Sequence, residues 1–255
     1  MRTSLLVSMT RREVESRYRE SLIGRLWIIL SPLLLLMIYT FVFGVVLKAR
    51  WGSEQDTFSF ALTLFSGLLL NGILAEGLSK APGIIQSHSN YVKRVVFPLD
   101  ILPVTPVLAA AFNALLAFLV LCTVLAFAGT PPGWQALLFP LVLLPFLLLV
   151  VGLAWILAGL GVYFRDITQL VQFLLILMLF ISPVFYPVSA LPVAAQAWLY
   201  LNPLSVPVEL TRSLLFGAPP PELLVVLSYC AASILVFWSG LVWFLRVQEG
   251  FADVL

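Results

Sequence analysis

Long uncharged apolar runs, broken by short polar or proline-rich segments, organise this chain. Charge is absent from 26–47 and from 58–75, and the stretch Ile101 to Phe164 contains no Asp, Glu, Lys or Arg. That stretch is split by the turn-like Gly129-Thr130-Pro131-Pro132-Gly133. Runs of about 18 or more apolar residues predict helices able to cross a ~30 Å hydrocarbon core. Six are expected, over 26–47, 58–80, 101–128, 135–163, 167–187 and 223–245. Apolar and polar residues do not alternate as in barrel strands, and in lipid only helices and closed barrels satisfy their own backbone. The expected fold class is therefore an all-α membrane protein, a single transmembrane domain over residues 1–255.

The breaks have characters of their own. Leu5, Leu6, Met9, Val14, Tyr18, Leu22 and Ile23 recur among charged residues at helical spacing, which predicts an amphipathic interfacial helix within 1–25. Its arginines, among them Arg11, Arg12 and Arg17, are available to membrane lipids or to a protein partner. The interspersed Glu13, Glu15 and Glu20 favour a protein contact. Residues 81–100, with Pro82 near one end and Pro98 near the other, predict a compact loop element. Residues 188–222 are proline-rich, uncharged until Glu209 and Arg212, and too apolar for an ordinary aqueous loop. Short helices lying in or re-entering one leaflet are expected there.

With six spans both termini share a side with the loops at 80–100 and 164–168. That side holds Arg2, Arg11, Arg12, Arg17, Arg19, Arg25, Lys80, Lys93, Arg94, Arg165 and Arg246, against Lys48, Arg50 and Arg212 opposite. The bias places both termini in the cytoplasm and residues 188–222 outside it. The first 25 residues lack the apolar core and cleavage site of a removable leader, so they are expected to remain.

Composition narrows the chemistry. Apolar residues make up 62% of the chain, mean hydropathy is +1.08, and the net charge of +2 is too small to argue for nucleic acid. Cys122 and Cys230 fall in expected spans and read as small packing residues. There is no phosphate-cradling G-x-x-x-x-G-K-[ST] loop, no zinc or nucleophile motif, and one histidine, His88, in the 81–100 loop. No expected span carries an ionisable group at its centre, which weakens an ion-coupled carrier and an intramembrane hydrolase. What remains is a path lined by neutral and aromatic groups driven from elsewhere. Tyr39, Phe43, Phe180, Phe185 and Tyr186, toward the outer ends of the first and fifth spans, suit the C–H faces of sugars. An interfacial aromatic belt or simple helix packing would explain each of them equally well.

Four segments in order carry a resemblance: RREVESRYRESLIGRLWIILSPLLLLMIYTFVFG, YVKRVVFPLDILPV, GVYFRDITQLVQFLLILMLFISPVFYP and LNPLSVPVELTRSLLFG. Together they make the chain resemble, nearly end to end, the membrane subunit of ABC-2 type exporters of lipid-linked polysaccharides such as O-antigen, teichoic acid and capsule. The resemblance implies a homodimer in the bacterial inner membrane with two ATP-binding cassette subunits on its cytoplasmic side, which would hold the ATP and magnesium. It implies an ATPase contact from Arg11, Arg12 and Arg17 and from Gln86, Ser87, His88, Tyr91, Lys93 and Arg94. Tyr39, Phe43 and Phe180 would face the glycan, and the segment bearing Asn202, Glu209 and Arg212 would form a periplasmic gate. Three other classes stay open: an ABC-2 exporter of a small molecule, a standalone channel or carrier, and a glycan-assembly enzyme. The last would need an acidic pair to hold a metal-bound sugar nucleotide, and none is visible.

Overall fold

A computed structural model describes residues 2–16, 24–46, 57–92, 97–192, 196 and 198–254. Every regular element among them is helical. Helix α1 (Arg2–Ser16) precedes α2 (Trp27–Tyr39), which widens into a π-helical stretch over Thr40–Val46. Helix α3 (Thr57–Lys80) passes through a single tight turn, Ala81–Gly83, into two short helices, α4 (Ile84–Ser87) and α5 (Ser89–Val92). There follow α6 (Val104–Phe127), α7 (Phe139–Tyr163), α8 (Ile167–Ile181), α9 (Ser205–Phe216), α10 (Leu223–Val247) and α11 (Phe251–Val254).

Four helical stretches among the described residues are long and apolar enough to cross a membrane: Phe58–Ser87, Leu99–Phe127, Trp134–Tyr163 and Leu223–Gly250. The chain is a multi-pass membrane protein. Two further apolar helices, Ile29–Phe43 and Ile167–Ile181, are shorter. The fifth expected span, 167–187, stops as a helix at Ile181, because Ser182 turns to an extended conformation (ψ 158°) ahead of Pro183. Its 15 residues rise only ~22 Å, less than the hydrocarbon core. The ends at Phe127 and Phe216 follow the turn chemistry of the sequence. Gly129 (φ 83°) and Gly217 (φ 65°) take the left-handed conformation that closes a helix, and prolines soon after prevent resumption.

The end of the bundle bearing Thr57 is termed upper and the end bearing Lys80 lower. Helix α7 packs most extensively against α10. The two backbones touch where glycine faces glycine. A Cβ on Gly152 would lie 2.5 Å from the Val236 carbonyl oxygen, and one on Gly240 would strike the Gly152 carbonyl. Without a hydrophobic drive in lipid, such small-residue contacts let van der Waals packing hold helices together. Gly77 does the same between α3 and α6, where an added Cβ would lie 2.9 Å from Val107. At the lower end Gly161 of α7 lies against the Pro82 carbonyl, also with no room for a side chain.

The chain immediately after α8 stays below the upper surface. Val184, fully buried, rests on Gly67, 3.1 Å from where its Cβ would stand. Gly67 is ten residues, or ~15 Å, along α3 from Thr57. Residues 202–208 are buried throughout, and the Tyr229 hydroxyl donates to the Pro203 carbonyl at 3.0 Å. Tyr229 lies six residues, or ~9 Å, below the start of α10. Thus residues 182–184 and 202–204 are buried in the upper part of the bundle, and α9 packs between α3, α7 and α10.

Replacing Gly152 by Val is expected to lower the melting midpoint of the detergent-solubilised protein. Overpacking costs roughly 1–3 kcal/mol where neighbours can shift, and here the neighbour is backbone. An unchanged midpoint in a fluorescence melting assay would contradict the close α7–α10 seam.

Candidate functional site

The upper end gathers aromatic rings. Tyr39 and Phe43, four apart across the junction of α2 and its π-helical extension, share a face, with centroids 6.3 Å apart. Phe43 continues the chain of contacts to Phe60 of α3 at 6.1 Å and to Phe185 at 6.3 Å. Phe185 stacks on Phe180, from the last turn of α8, at 5.4 Å and 23°. Four of the five aromatic residues singled out from the sequence are therefore brought into one connected cluster. The cluster grades from buried to open: Phe60 is 5% exposed and Phe180 62%. Phe60 was missed by the sequence reading; its place in the first turn of α3 was the available signal. Tyr186 is bound differently, its hydroxyl donating to the carbonyls of Phe180 at 3.1 Å and Ile181 at 2.9 Å.

Beside the cluster, the residues expected at a gate hold the end of α8. Asn202 donates its amide to the Met178 carbonyl at 2.7 Å and accepts the Leu204 N–H at 3.0 Å. Ser205 donates to the Leu199 carbonyl at 2.6 Å. Arg212, 6% exposed, donates through its guanidinium to the carbonyls of Pro183 and of Val184, the latter at 2.9 Å. Glu209 lies one turn before Arg212 on α9. Burial pushes its carboxyl above the ordinary range, opposed by a hydrogen bond from Tyr200 and by the positive charge of Arg212.

The lower end is assembled from α1, α4 and α5. Helix α1 lies against α6, with Met9 packed on the core. Glu13 of α1 meets Lys80, the last residue of α3, at 2.6 Å. Both side chains are partly exposed, so the pair contributes modestly; it joins α1 to the lower end of α3. Arg11 is paired within its own helix to Glu15 at 2.8 Å, both exposed, and Arg12 is exposed. Arg17 lies outside the described residues.

Gln86 donates to the Gly161 carbonyl at 2.9 Å, tying α4 to the lower end of α7. Ile84 and Ile85 are buried, and Ser87 donates to the Ile84 carbonyl at 3.0 Å. The His88 Nδ1 lies 2.9 Å from that carbonyl and 3.1 Å from the Ser87 hydroxyl. The His88 ring stacks toward Tyr91 at 5.9 Å, and Tyr91 on Phe97 at 4.4 Å. Lys93 and Arg94 lie outside the described residues. Beyond them the chain turns inward: the Asp100 carbonyl accepts the Trp155 indole N–H at 2.8 Å, and Ile101, Leu102 and Pro103 are buried. The second half of the expected 81–100 loop thus ends against the bundle.

No group of three or more His, Cys, Asp or Glu placed to hold a metal ion occurs among the described residues. What the two ends offer is an aromatic face at the top and a braced polar and aromatic platform at the bottom.

Comparison with known proteins gives a consistent picture. The profile of a family described as ABC-2 type transporter matches residues 4–216. The chain is 31% identical over 252 residues to an O-antigen export system permease protein of Myxococcus xanthus, covering 98% of this chain and 94% of that one. It is 25% identical over 252 residues to the protein of the same description from Klebsiella pneumoniae, covering 98% and 95%. To a polysialic acid transport protein of Escherichia coli it is 27% identical over 209 residues, covering 79% and 77%.

Replacing Gly161 by Ala is expected to force Pro82 away from α7 and loosen the α4 turn. Amide exchange across residues 84–88 should accelerate by roughly tenfold, the effect of losing one or two packing and hydrogen-bond contacts. Exchange at the same rate as the parent would refute the bracing of α4 by Gly161.

Proposed function

The chain belongs to the ABC-2 type transporter family, and from that premise we propose that it is the membrane-spanning permease subunit of an ATP-driven exporter of lipid-linked polysaccharide. The observation that carries the cargo is the nearly end-to-end likeness to a protein described as an O-antigen export permease. The likeness to a polysialic acid transport protein adds a second carbohydrate. The aromatic cluster supports the same cargo, since flat rings pack against the C–H faces of sugars without charge. No phosphate-cradling loop is present in the sequence, so the nucleotide would be hydrolysed on a separate cassette subunit.

In this reading the working unit is a homodimer with two such subunits bound on the cytoplasmic side of the inner membrane. Each protomer has six spans, the count being completed by α2 with its π-helical extension and by α8 together with the chain that follows it. Both termini are cytoplasmic, which the distribution of Lys and Arg supports. The upper end then faces the periplasm. Tyr39, Phe43, Phe180 and Phe185, with Tyr186 bracing them, line the glycan path. The 188–222 segment, with Asn202, Glu209 and Arg212, is the re-entrant periplasmic gate. The lower platform is the ATPase contact, formed by Gln86, Ser87, His88 and Tyr91, by Lys93 and Arg94 beyond them, and by Arg11, Arg12 and Arg17. Anchoring of that platform to α7 through Gln86 and Gly161 gives a push from the motor somewhere rigid to act.

In proteoliposomes containing its cassette subunit, the complex is expected to move lipid-linked glycan only with ATP; ATP-independent movement would point to a channel instead. Replacing both Lys93 and Arg94 by Glu should weaken cassette-subunit binding by about tenfold or more in a pull-down titration, in line with reversing charges at a contact. Tyr39→Ala combined with Phe43→Ala should cut glycan export by about tenfold, the scale of losing one or two ring contacts, while the complex still assembles. Unchanged export would make those rings packing residues only.

A further inference from the structure

Helix α8 ends inside the bundle, about 15 Å along α3 from its upper terminus. A helix end leaves carbonyls without intrahelical donors, and in an apolar surrounding water does not supply them. Here side chains do: Tyr186 takes the carbonyls of Phe180 and Ile181, Asn202 shares that of Met178, and Arg212 takes those of Pro183 and Val184. The last of these is unusual chemistry for the task. A buried cation carries a heavy desolvation cost that an amide or hydroxyl would avoid. What a guanidinium adds is its planar fork, which can hold two successive carbonyls in one fixed orientation.

The next residue in the chain is Phe185. It bridges Phe43 at 6.3 Å and Phe180 at 5.4 Å, and so closes the aromatic cluster between α2 and α8. Val184, held at its carbonyl by Arg212, is also held at its side chain by the groove at Gly67. Backbone orientation at residues 183 and 184 therefore sets where the Phe185 ring stands, and that orientation is dictated from α9.

We propose that Arg212 is a positioning residue for the aromatic cluster: by clamping the Pro183 and Val184 carbonyls to α9 it holds the Phe185 ring between Phe43 and Phe180, so that α9 and the cluster move as one body. This rests on the reading of the cluster as the glycan path and of α9 as part of the gate, and it specifies how one is set by the other. A purely stabilising cap would be indifferent to where Phe185 points.

The test is the accessibility of position 185 in the assembled complex in proteoliposomes. A chain with Cys122→Ala and Cys230→Ala carries Phe185→Cys, and its reaction with a membrane-impermeant maleimide is timed from the periplasmic side. The rate should rise from the Arg212 parent to Arg212→Lys, which can hold one carbonyl, and again to Arg212→Met, which holds neither. The full span should be about tenfold, the population change expected from losing a hydrogen bond of a charged donor. Leu223→Cys, at the exposed start of α10, should react at one rate in all three. Equal rates at position 185, in variants that melt at the parent's temperature, would overturn the assignment. If Arg212→Met does not assemble, the comparison of Arg212→Lys with the parent decides alone, a rise supporting the clamp and no rise refuting it. Glycan export by the parent is measured in parallel: a labelling shift without export in the parent would retain the clamp and discard the cargo.

Discussion

A helix that stops inside an apolar layer must have its last carbonyls satisfied by the protein, and much of the upper half of this molecule is arranged around that requirement. Helix α8 is broken by Ser182-Pro183 well short of the length needed to span. The freed carbonyls call for donors at depth, and the chain brings them back in a buried segment that would otherwise have no reason to descend. Asn202, Tyr186 and Arg212 arrive from one side of α8, and that leaves its other side, with Phe173, Ile176 and Phe180, exposed. Termination of one helix thus fixes the position of another and, with it, an aromatic face.

The lower half answers to a different constraint, close approach of backbones. Helix α7 is flanked by positions that admit no side chain, Gly152 against α10 and Gly161 against the Pro82 turn. It also packs against the 134–138 turn, α3, α6 and α9. Leu149 of α7 meets Val206 of α9 and Tyr229 of α10 in a small buried cluster. The same helix therefore touches the braced platform at one end of the bundle and the buried descending segment at the other. A displacement of α4 has a continuous packed route to α9, although two packed ends become a coupled machine only where the helix between them has two arrangements to choose from.

Most of the helices were legible in the sequence because their signals are local. Uncharged runs gave the long helices, and the turn-like Gly129–Gly133 segment marked the end of α6. The apolar character of 188–222 argued against an aqueous loop, and within it residues 202–208 are buried. The length of α8 was overestimated because apolar residues continue through Pro183 and Val184 to Tyr186, and hydropathy alone does not register a broken backbone. Contacts between distant residues were not legible. Lys80 and Glu13 are 67 apart, and each has nearer opposite charges in the sequence. Asn202 reaches Met178 across 24 residues, and Phe60, at the upper end of α3, joins the cluster through its packing on Phe43. The aromatic residues themselves were identifiable by type and by end of span, while their assembly into one cluster depends on tertiary packing.

The glycine seam between α7 and α10 also restricts how these helices can move. With Gly152 lodged against the Val236–Phe237 backbone and Gly240 against that of Gly152, sliding along the axis would drive Cβ-bearing neighbours into that gap, whereas tilting about the contact leaves it intact. The seam acts as a fulcrum. Tyr163 lies eleven residues, or ~16 Å, from Gly152, so a tilt of about 10° would swing that end of α7 by ~3 Å and the opposite end the other way. Small rocking at one face of the membrane would emerge as movement of opposite sense at the other, with the lever ratio set by where in α7 the glycine falls.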